Sequence, residues 1–197
     1  MIQPPRIFLI TGSAEKSSYV RASLDILGAI FRDLGAHAHM WDLAEFLLPL
    51  FTLDKCPKAQ GDETMRVQQF IQLASQADAF VLGSPVYHNS FSGILKNALD
   101  TLAPQHFYLK PVALVSNGYS DRTASLPCEH LRSVVRGLSA IAIPSQIVTV
   151  PSDFLSLDNQ YVLTNTALLE RFSLLARELL YFTELLHNAP CTQPSFS

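Results

Sequence analysis

Hydrophobic residues follow two alternating patterns along this chain, short apolar runs and stripes with helical spacing. The run RIFLITG at 6–12 is apolar almost throughout and ends in Gly, which is typical of a strand buried on both faces of a parallel sheet. Residues 37–43 alternate as an edge strand does, and Pro144 interrupts or delays the last strand. The predicted strands are residues 6–12, 37–43, 77–85, 110–118 and 140–150.

Between these strands, apolar residues recur every three or four positions, which is the period of an amphipathic helix. The first stripe runs from Val20 to Leu34 and stops at Gly35, a residue suited to the end of a helix. The remaining helices are predicted to begin at Asp62, after a Ser92 cap, near Pro127 and at Tyr161, the last continuing to His187.

Five strands interleaved with five helices predict an α/β fold with right-handed crossovers. A length of 197 residues suits one domain, so residues 1–188 are assigned to a single domain. The polar, proline-bearing tail at 189–197 is expected to fray. Residues 44–61 are long for a connection between a strand and a helix, so they are either functional or packed as a short irregular piece.

Composition and charge exclude several classes of function. Hydrophobic residues make up 48% of the chain and charged residues 16%, which supports a sizeable core. A net charge of -3 without a Lys/Arg block gives no support to a nucleic-acid or membrane partner. The 3 cysteines are far apart and form no CxxC motif, so we expect neither a disulfide framework nor a metal site, and a reducing cytoplasmic location. The N-terminus lacks signal-peptide features, and no apolar run reaches the ~18 residues of a spanning helix.

The loop after the first predicted strand, TGSAEKSSY at 11–19, is suited to binding an anion. In an open parallel sheet, ligands bind beyond the carboxyl ends of the strands. Hydroxyl groups and free N–H groups at a helix N-terminus form an anion pocket there, with Lys16 nearby. An ordinary helix cap explains the same serines equally well. Neither a Walker loop nor GxGxxG is present, so a dinucleotide Rossmann site loses support.

The loop after the third predicted strand, GSPVYHNSFSG at 83–93, is too polar for a core segment. We expect the backbone groups of Val86, Tyr87, His88 and Asn89 to lack regular partners, and such groups must bond to something if they are buried. The edge of an isoalloxazine ring would satisfy them. A structural Ω-like loop that bonds to water is the alternative.

The loop after the fourth predicted strand, SNGYSDRTAS at 116–125, offers a further wall of the same site. Ser116, Asn117 and Gly118 are placed to approach a ligand from the far side. Asp121 and Arg122 are interpreted as a surface ion pair, with a role for Arg122 at a nicotinamide nucleotide phosphate as the alternative.

Other polar or reactive side chains have simple structural interpretations. His88 can lend a proton to a reduced acceptor, but a structural role is favoured. Cys128 lies near a helix start, where thiol acidity can rise, and is interpreted as a packing residue. His37, His39 and Trp41 are interpreted as edge decoration rather than metal ligands, and Lys96 and Asp100 as a pair four residues apart or across a subunit contact.

The last predicted helix is apolar around much of its circumference. One face can pack on the sheet, and the other can pack against a second subunit. We therefore expect a homodimer or a dimer of dimers.

The three loops together resemble the NADPH-dependent FMN reductase family of flavodoxin-like proteins. The resemblance covers roughly residues 6–150, and its most specific part is the run GSPVYHNSFSGILKNALD. The other segments that carry it are TGSAEKSSY, DLAEFLLPLF and HLRSVVRGLSAIAIP. It implies a flavodoxin-like three-layer fold, with a five-stranded parallel sheet of order 2-1-3-4-5 and one FMN per subunit.

The resemblance also implies a set of cofactor-binding residues. The phosphate loop comprises Ser13, Lys16, Ser18, Tyr19 and Val20, the ring loop Pro85, Val86, Tyr87, His88, Asn89 and Ser90, and the third wall Ser116, Asn117 and Gly118. Two departures stand out. Glu15 stands where the family often has Arg, and the third loop lacks the usual glycine-rich sequence.

The implied reaction is hydride transfer from NADPH or NADH to N5 of FMN, followed by reduction of a small-molecule acceptor such as a quinone, free flavin, an azo compound or a metal oxyanion. The cofactor supplies this chemistry, so no catalytic side chain is obligatory. Two alternatives remain open: a flavodoxin-type electron carrier, and a member of the family that has lost flavin and acts as a binding module.

Overall fold

The computed structural model describes residues 3–52, 62–158 and 160–188. Five strands form one parallel sheet of order β2-β1-β3-β4-β5, and two further strands form a separate antiparallel hairpin. This sheet order confirms the expected flavodoxin-like fold. In chain order the elements are β1 (Arg6–Thr11), α1 (Tyr19–Asp33), β2 (His37–Asp42), α2 (Asp62–Gln76), β3 (Ala79–Pro85), α3 (Gly93–Asp100), β4 (Pro111–Asn117), α4 (Leu126–Gly137), β5 (Ile141–Thr149), β6 (Phe154–Leu157), β7 (Gln160–Leu163) and α5 (Thr166–His187).

The central strands are apolar on both faces because helices cover the sheet from both sides. In β1, Ile7 and Leu9 join the core under α1 and α5. Phe8 and Ile10 join the opposite core, under α2, α3 and α4. Gly35 has a φ of +82°, so the predicted end of α1 falls at the residue that tolerates this conformation most easily.

The prediction of one helix from Tyr161 is wrong, because α5 begins at Thr166. The preceding residues form β7, in which Val162 pairs with Leu155 of β6. The hairpin packs on the start of α1, where the Tyr19 ring lies 4.0 Å from the Tyr161 ring, centre to centre. Packing against α1 thus places an aromatic and β-branched segment in a strand, although its apolar residues continue the pattern of the helix.

The interpretation of Trp41 as edge decoration is wrong. Its ring is buried and lies edge-on to Phe70, with the ring centres 5.2 Å apart. Its indole N–H donates to the carbonyl oxygen of Phe46 at 3.0 Å, which holds the segment after β2 against the sheet. His37 and His39, on the same strand, are exposed as expected.

The prediction that Pro144 interrupts or delays the last strand is wrong for the strand itself, because β5 runs from Ile141 to Thr149, but its pairing with β4 is disturbed at this point. The pairing of β4 with β5 shifts register between Val112 and Leu114, which marks a bulge opposite them. Arg132 of α4 donates to the carbonyl oxygens of Ile143 and Pro144, each at 3.0 Å. These two bonds satisfy acceptors that the bulge removes from the ladder.

The irregular segment after β2 packs on the protein as far as residue 52. Asn97 of α3 donates to the carbonyl oxygen of Pro49 at 2.9 Å and accepts from the amide of Phe51 at 2.8 Å. Residues 53–61 and the predicted frayed tail at 189–197 lie outside the described residues. Among the helices that are described, none combines the length and the hydrophobicity needed to cross a membrane.

Lys110 is a partly buried cation at the amino end of the sheet. Its Nζ lies 5.7 Å from the centre of the Phe80 ring and 3.5 Å from the carbonyl oxygens of Ala74 and Ser75. Burial lowers the pKa of Lys110 to about 8 from its usual 10.5, despite the attraction of Asp78. The folded state therefore holds this charge at a cost at neutral pH.

We expect Lys110→Met to raise the melting temperature at pH 7 by about 2–4 °C, the shift that ~1 kcal/mol gives in a chain of this size. Because the folded pKa is the lower one, the wild type gains stability as pH rises from about 8 towards 10.5. The advantage of the variant should shrink over that range in paired thermal unfolding curves. A variant that melts below the wild type at pH 7 would show that the ammonium stabilises the fold.

Candidate functional site

The carboxyl ends of β1, β3 and β4 lie side by side at one edge of the sheet. All five strands are parallel, but the side on which the chain adds each next strand changes between β1 and β3. Doubly wound sheets bind ligands at this switch point. Three loops leave this edge, at residues 12–18, 86–92 and 118–125. They are the three loops singled out from the sequence, and the fold brings them together.

The first loop presents hydrogen-bond donors at the start of α1. Ser18 is the N-cap, and its Oγ accepts from the amide of Arg21 at 3.1 Å. The amides of Tyr19 and Val20 precede the first hydrogen bonds within the helix, so they have no helical partner. Ser13 is only 2% exposed, and its Oγ accepts from the amide of Glu15 at 3.1 Å. Both serine hydroxyls keep a proton to donate to an anion.

Two further features favour an anion at this loop. Thr11, the last residue of β1, carries a buried Oγ1 that has no hydrogen-bond partner among the described residues. An unpaired buried hydroxyl costs free energy, which a bound ligand or water would recover. Glu15 and Lys16 are both exposed, so the carboxylate that departs from the family pattern extends into solvent.

Arg21 and Asp42 form an ion pair beside this loop that the sequence reading missed. The Arg21 guanidinium contacts the buried Asp42 carboxylate at the end of β2 and lies 3.2 Å from Asp25. Burial opposes the charge of Arg21, but the carboxylates of Asp25 and Asp42 raise its pKa overall. The Arg21 guanidinium is therefore neutralised by Asp25 and Asp42 rather than left free for a ligand. The position of Asp42 at a strand's carboxyl end was the one signal in the sequence.

The second loop closes a tight turn at His88 and Asn89, with φ values of 51° and 63°. The amide of Tyr87 donates to the carbonyl oxygen of Ser90 at 2.8 Å, and the reverse bond measures 3.1 Å. The amide of Val86 donates to the carbonyl oxygen of Asn117 at 2.8 Å. The expectation that Val86 and Tyr87 lack backbone partners is therefore wrong. Of the four residues in that expectation, His88 and Asn89 at the turn tip have backbone amides with no hydrogen-bond partner among the described residues.

Ser90 connects the second loop to α4. Its Oγ lies 2.9 Å from Nδ1 of His130, a contact across 40 positions of the chain. Nothing in the local pattern around His130 indicates this contact, so the sequence reading missed it. The bond fixes the base of the turn whose tip is His88 and Asn89.

A buried network ties the first loop to the second. The Ser92 hydroxyl donates to the carbonyl oxygen of Gly12 at 2.5 Å, and the Ser92 amide donates to Oγ of Ser84 at 2.9 Å. The amide of Gly12 donates to the carbonyl oxygen of Gly83 at 2.7 Å. Ser92 also caps α3 as predicted, because its Oγ accepts from the amide of Leu95 at 3.3 Å. The relative position of the two loops is thus fixed from below.

In the third loop, the predicted side chains bond to the protein rather than point to the open edge. The Ser116 hydroxyl donates to the carbonyl oxygen of Ala124 at 2.5 Å and accepts from Cys128 Sγ at 3.3 Å. The Asn117 amide group donates to Oγ1 of Thr149 at 3.0 Å. Ser116 and Asn117 therefore shape this wall. Burial raises the pKa of Cys128 to about 11, which keeps the thiol protonated and supports its interpretation as a packing residue.

The predicted ion pair between Asp121 and Arg122 is not formed in the described structure, where both side chains are exposed. Lys96 and Asp100 do pair, with Nζ lying 2.7 and 2.8 Å from the two carboxylate oxygens. No cluster of three or more metal-ligating side chains occurs within the residues that the structure describes.

Comparison with known proteins identifies the family to which such a site belongs. The family model described as NADPH-dependent FMN reductase matches residues 5–154. An FMN-dependent NADPH-azoreductase of Staphylococcus saprophyticus is 41% identical over 172 residues, which cover 86% of this chain and 88% of the relative. An FMN-dependent NADPH-azoreductase of Staphylococcus aureus is 35% identical over 183 residues, covering 92% of this chain and 95% of the relative.

Solved structures share the fold at low sequence identity. An oxidoreductase from Corynebacterium diphtheriae superposes with a TM-score of 0.72 at 17% identity, covering 93% of this chain and 98% of that one. The flavoenzyme FerB, an NAD(P)H:(acceptor) oxidoreductase from Paracoccus denitrificans, superposes with a TM-score of 0.71 at 17% identity, covering 93% and 97%. At these identities, the likeness shows the shared flavodoxin-like architecture.

Proposed function

Because the chain belongs to the NADPH-dependent FMN reductase family, we propose that its three carboxyl-edge loops bind one FMN at the positions described above. The activity class is that of an FMN-dependent NAD(P)H oxidoreductase that reduces a small-molecule acceptor. When bound, FMN supplies the hydride transfer. The residues assigned to the site are Ser13, Lys16, Ser18, Tyr19, Val20, Pro85, Val86, Tyr87, His88, Asn89, Ser90, Ser116, Asn117 and Gly118.

The observation that carries this assignment is the set of donors at the first loop. The free amides of Tyr19 and Val20 and the hydroxyls of Ser13 and Ser18 are the groups that hold a phosphate at a helix N-terminus. The buried, unpaired Oγ1 of Thr11 lies at the end of the strand that leads into them. Val20 offers only its backbone, since its side chain belongs to the core.

The ring is assigned to the space between the second and third loops. The unpaired amides of His88 and Asn89 can donate to the carbonyl oxygens of a flat heterocycle. Gly118 lies at the opposite wall of this space, where the chain passes so close to Ala124 that a Cβ on residue 118 would lie 2.7 Å from Cα of Ala124. The imidazole of His88 is exposed, and we favour a structural role for this residue over proton donation, since its positive φ fixes the turn.

The azoreductase relatives support an azo compound as the acceptor, with quinones and free flavin as the alternatives to test. The electron-carrier alternative is not supported, because the curated relatives are named as enzymes. We also propose that residues 1–188 form one domain that works in the cytoplasm. The free, buried Cys128 is consistent with a reducing compartment.

We propose that α5 forms an interface between two copies of this chain, in a homodimer or a dimer of dimers. Leu174, Tyr181 and Leu185 are 66%, 62% and 51% exposed. They lie seven and four residues apart, so they form one apolar stripe on the face of α5 opposite its core residues. Light scattering at several concentrations measures the oligomeric state.

The visible spectrum of the purified protein, followed by an NADPH oxidation assay, tests the function. We expect flavin absorption near one FMN per chain, and NADPH consumption that depends on an azo dye or a quinone. A yellow protein that does not oxidise NADPH with any acceptor would point to a carrier. A colourless protein that stays colourless after addition of FMN would overturn the site assignment.

A further inference from the structure

A groove opens beside the third wall of the proposed flavin site. It has a volume of about 610 Å³ and lies between the loops that follow β4 and β5. The amide of Gly118 donates to the carbonyl oxygen of Thr149 at 3.1 Å, which holds the two loops together at its base. The side chains that line it and matter here are those of Tyr119, Ser120, Asp121, Arg122, Pro151 and Ser152. The groove therefore begins directly after a residue assigned to the flavin site.

The chemistry of this groove is unusual for an exposed surface. Tyr119 is 91% exposed, so a whole aromatic ring faces solvent at its entrance. Among the described residues, the Arg122 guanidinium forms no ion pair and no hydrogen bond. The Ser120 Oγ accepts from the amide of Arg122 at 3.3 Å, which leaves its hydroxyl proton free. An aromatic face, an uncommitted guanidinium and serine hydroxyls are thus gathered in one place.

We propose that this groove binds the 2′-phosphorylated adenosine of NADPH, with Arg122 on the 2′-phosphate and the ring of Tyr119 against adenine. This inference rests on the proposed function, because the nicotinamide end must reach the flavin beyond Gly118. A guanidinium binds phosphate through two parallel hydrogen bonds, which a ribose 2′-hydroxyl does not offer. The residue pair Asp121 and Arg122 is therefore a selector between the two nicotinamide nucleotides.

The neighbouring carboxylate sharpens the assignment. In other dinucleotide sites, an acidic residue accepts from the ribose 2′-hydroxyl of NAD, and an arginine accommodates the 2′-phosphate of NADP. Asp121 and Arg122 are adjacent in the chain, and both line the groove. Since Asp121 does not neutralise Arg122 in this structure, the guanidinium is available for the phosphate. Removing the charge of Arg122 should therefore lower the preference for NADPH over NADH, and removing the charge of Asp121 should raise it.

Binding of 2′,5′-ADP to the full-length protein by calorimetry tests the proposal without relying on turnover. We expect the wild type to bind 2′,5′-ADP about 10-fold more tightly than 5′-AMP, since a charge-assisted phosphate bond is worth ~1.5 kcal/mol or more. Arg122→Leu should abolish that difference, and the matched Asp121→Asn should increase it. Equal binding of the two nucleotides to the wild type would overturn the proposal. Inorganic phosphate that binds as well as 2′,5′-ADP would also overturn it, as a bare phosphate site.

Steady-state kinetics supply the second readout. Arg122→Leu should raise KM for NADPH about 10-fold and leave KM for NADH and both kcat values within about 2-fold. Tyr119→Ala should raise KM for both nucleotides, because adenine is common to them. An unchanged KM for NADPH in the Arg122→Leu variant would contradict the proposed role of the groove and would leave the reductase assignment intact. If the protein bound no flavin, the reductase assignment would be wrong. Calorimetry with 2′,5′-ADP and 5′-AMP would still show whether the groove binds the phosphorylated adenosine.

Discussion

Replacing Ser18 with aspartate is expected to weaken FMN binding by at least about 100-fold while leaving the apoprotein as stable as the wild type. Aspartate is as good an N-cap as serine, and its charge suits the positive end of α1. The helix therefore keeps the hydrogen bond that Ser18 Oγ now accepts from the Arg21 amide. The same carboxylate would face the FMN phosphate, and two unit charges ~4 Å apart repel by about 4 kcal/mol near a protein surface.

Two controls separate repulsion from damage to the loop. Ser18→Asn keeps a neutral cap, so FMN affinity should stay within about 10-fold of the wild type. Riboflavin lacks the phosphate, so Ser18→Asp should bind it as the wild type does. The measurements are fluorescence titrations of apoprotein with FMN and riboflavin, together with thermal unfolding of each apoprotein. Unchanged FMN affinity in Ser18→Asp would place the phosphate somewhere other than the start of α1.

The features of this fold that the sequence predicts are those set by local chemistry. Buried strands such as β1 are apolar at nearly every position because both faces are covered. Gly35 ends α1 because its backbone conformation favours glycine, and Ser92 caps α3 because a hydroxyl there satisfies a free amide. Each of these signals lies within a few residues of the feature that it predicts.

The features that the sequence does not predict depend on contacts between distant segments. Arg21 meets Asp42 across 21 positions, and Ser90 meets His130 across 40. No local period encodes either contact. The hairpin of β6 and β7 was missed for a related reason, since its strands have 4 residues each and are placed by packing against Tyr19.

The second loop shows a different limit. The turn at His88 and Asn89 needs positive φ at two consecutive residues that are not glycine, a conformation that is uncommon even though His and Asn adopt it more often than most residues. The turn pairs the backbone of Tyr87 with that of Ser90, so fewer amides remain for a ligand than the sequence suggested. These contacts do not test whether the loop binds a ligand. Of the four amides that the sequence suggested as donors, those of His88 and Asn89 at the turn tip remain without a partner among the described residues.

Gly12→Ala is expected to lower the melting temperature by roughly 2–12 °C and to weaken FMN binding as well. A Cβ at this position would lie 2.7 Å from Cβ of Leu95 and 3.0 Å from both the Gly83 carbonyl oxygen and Ser92 Oγ. Overpacking of this kind costs ~1–3 kcal/mol, and each kcal/mol shifts the melting temperature by about 2–4 °C in a chain of this size. Neither α3 nor the backbone of β3 can give way without moving the network that joins the first two loops.

Gly93→Ala is the matched control for this change. Gly93 is the first residue of α3, close to Gly12 in the fold, and a Cβ there would meet nothing within 4 Å. Its substitution should leave the melting temperature unchanged or raise it, because alanine restricts the unfolded chain without strain. Thermal unfolding and FMN titration of both variants separate a local clash from a general effect of replacing glycine. If Gly12→Ala kept the stability and the FMN affinity of the wild type, then the close packing of β1 against α3 would not be what holds the first loop in place.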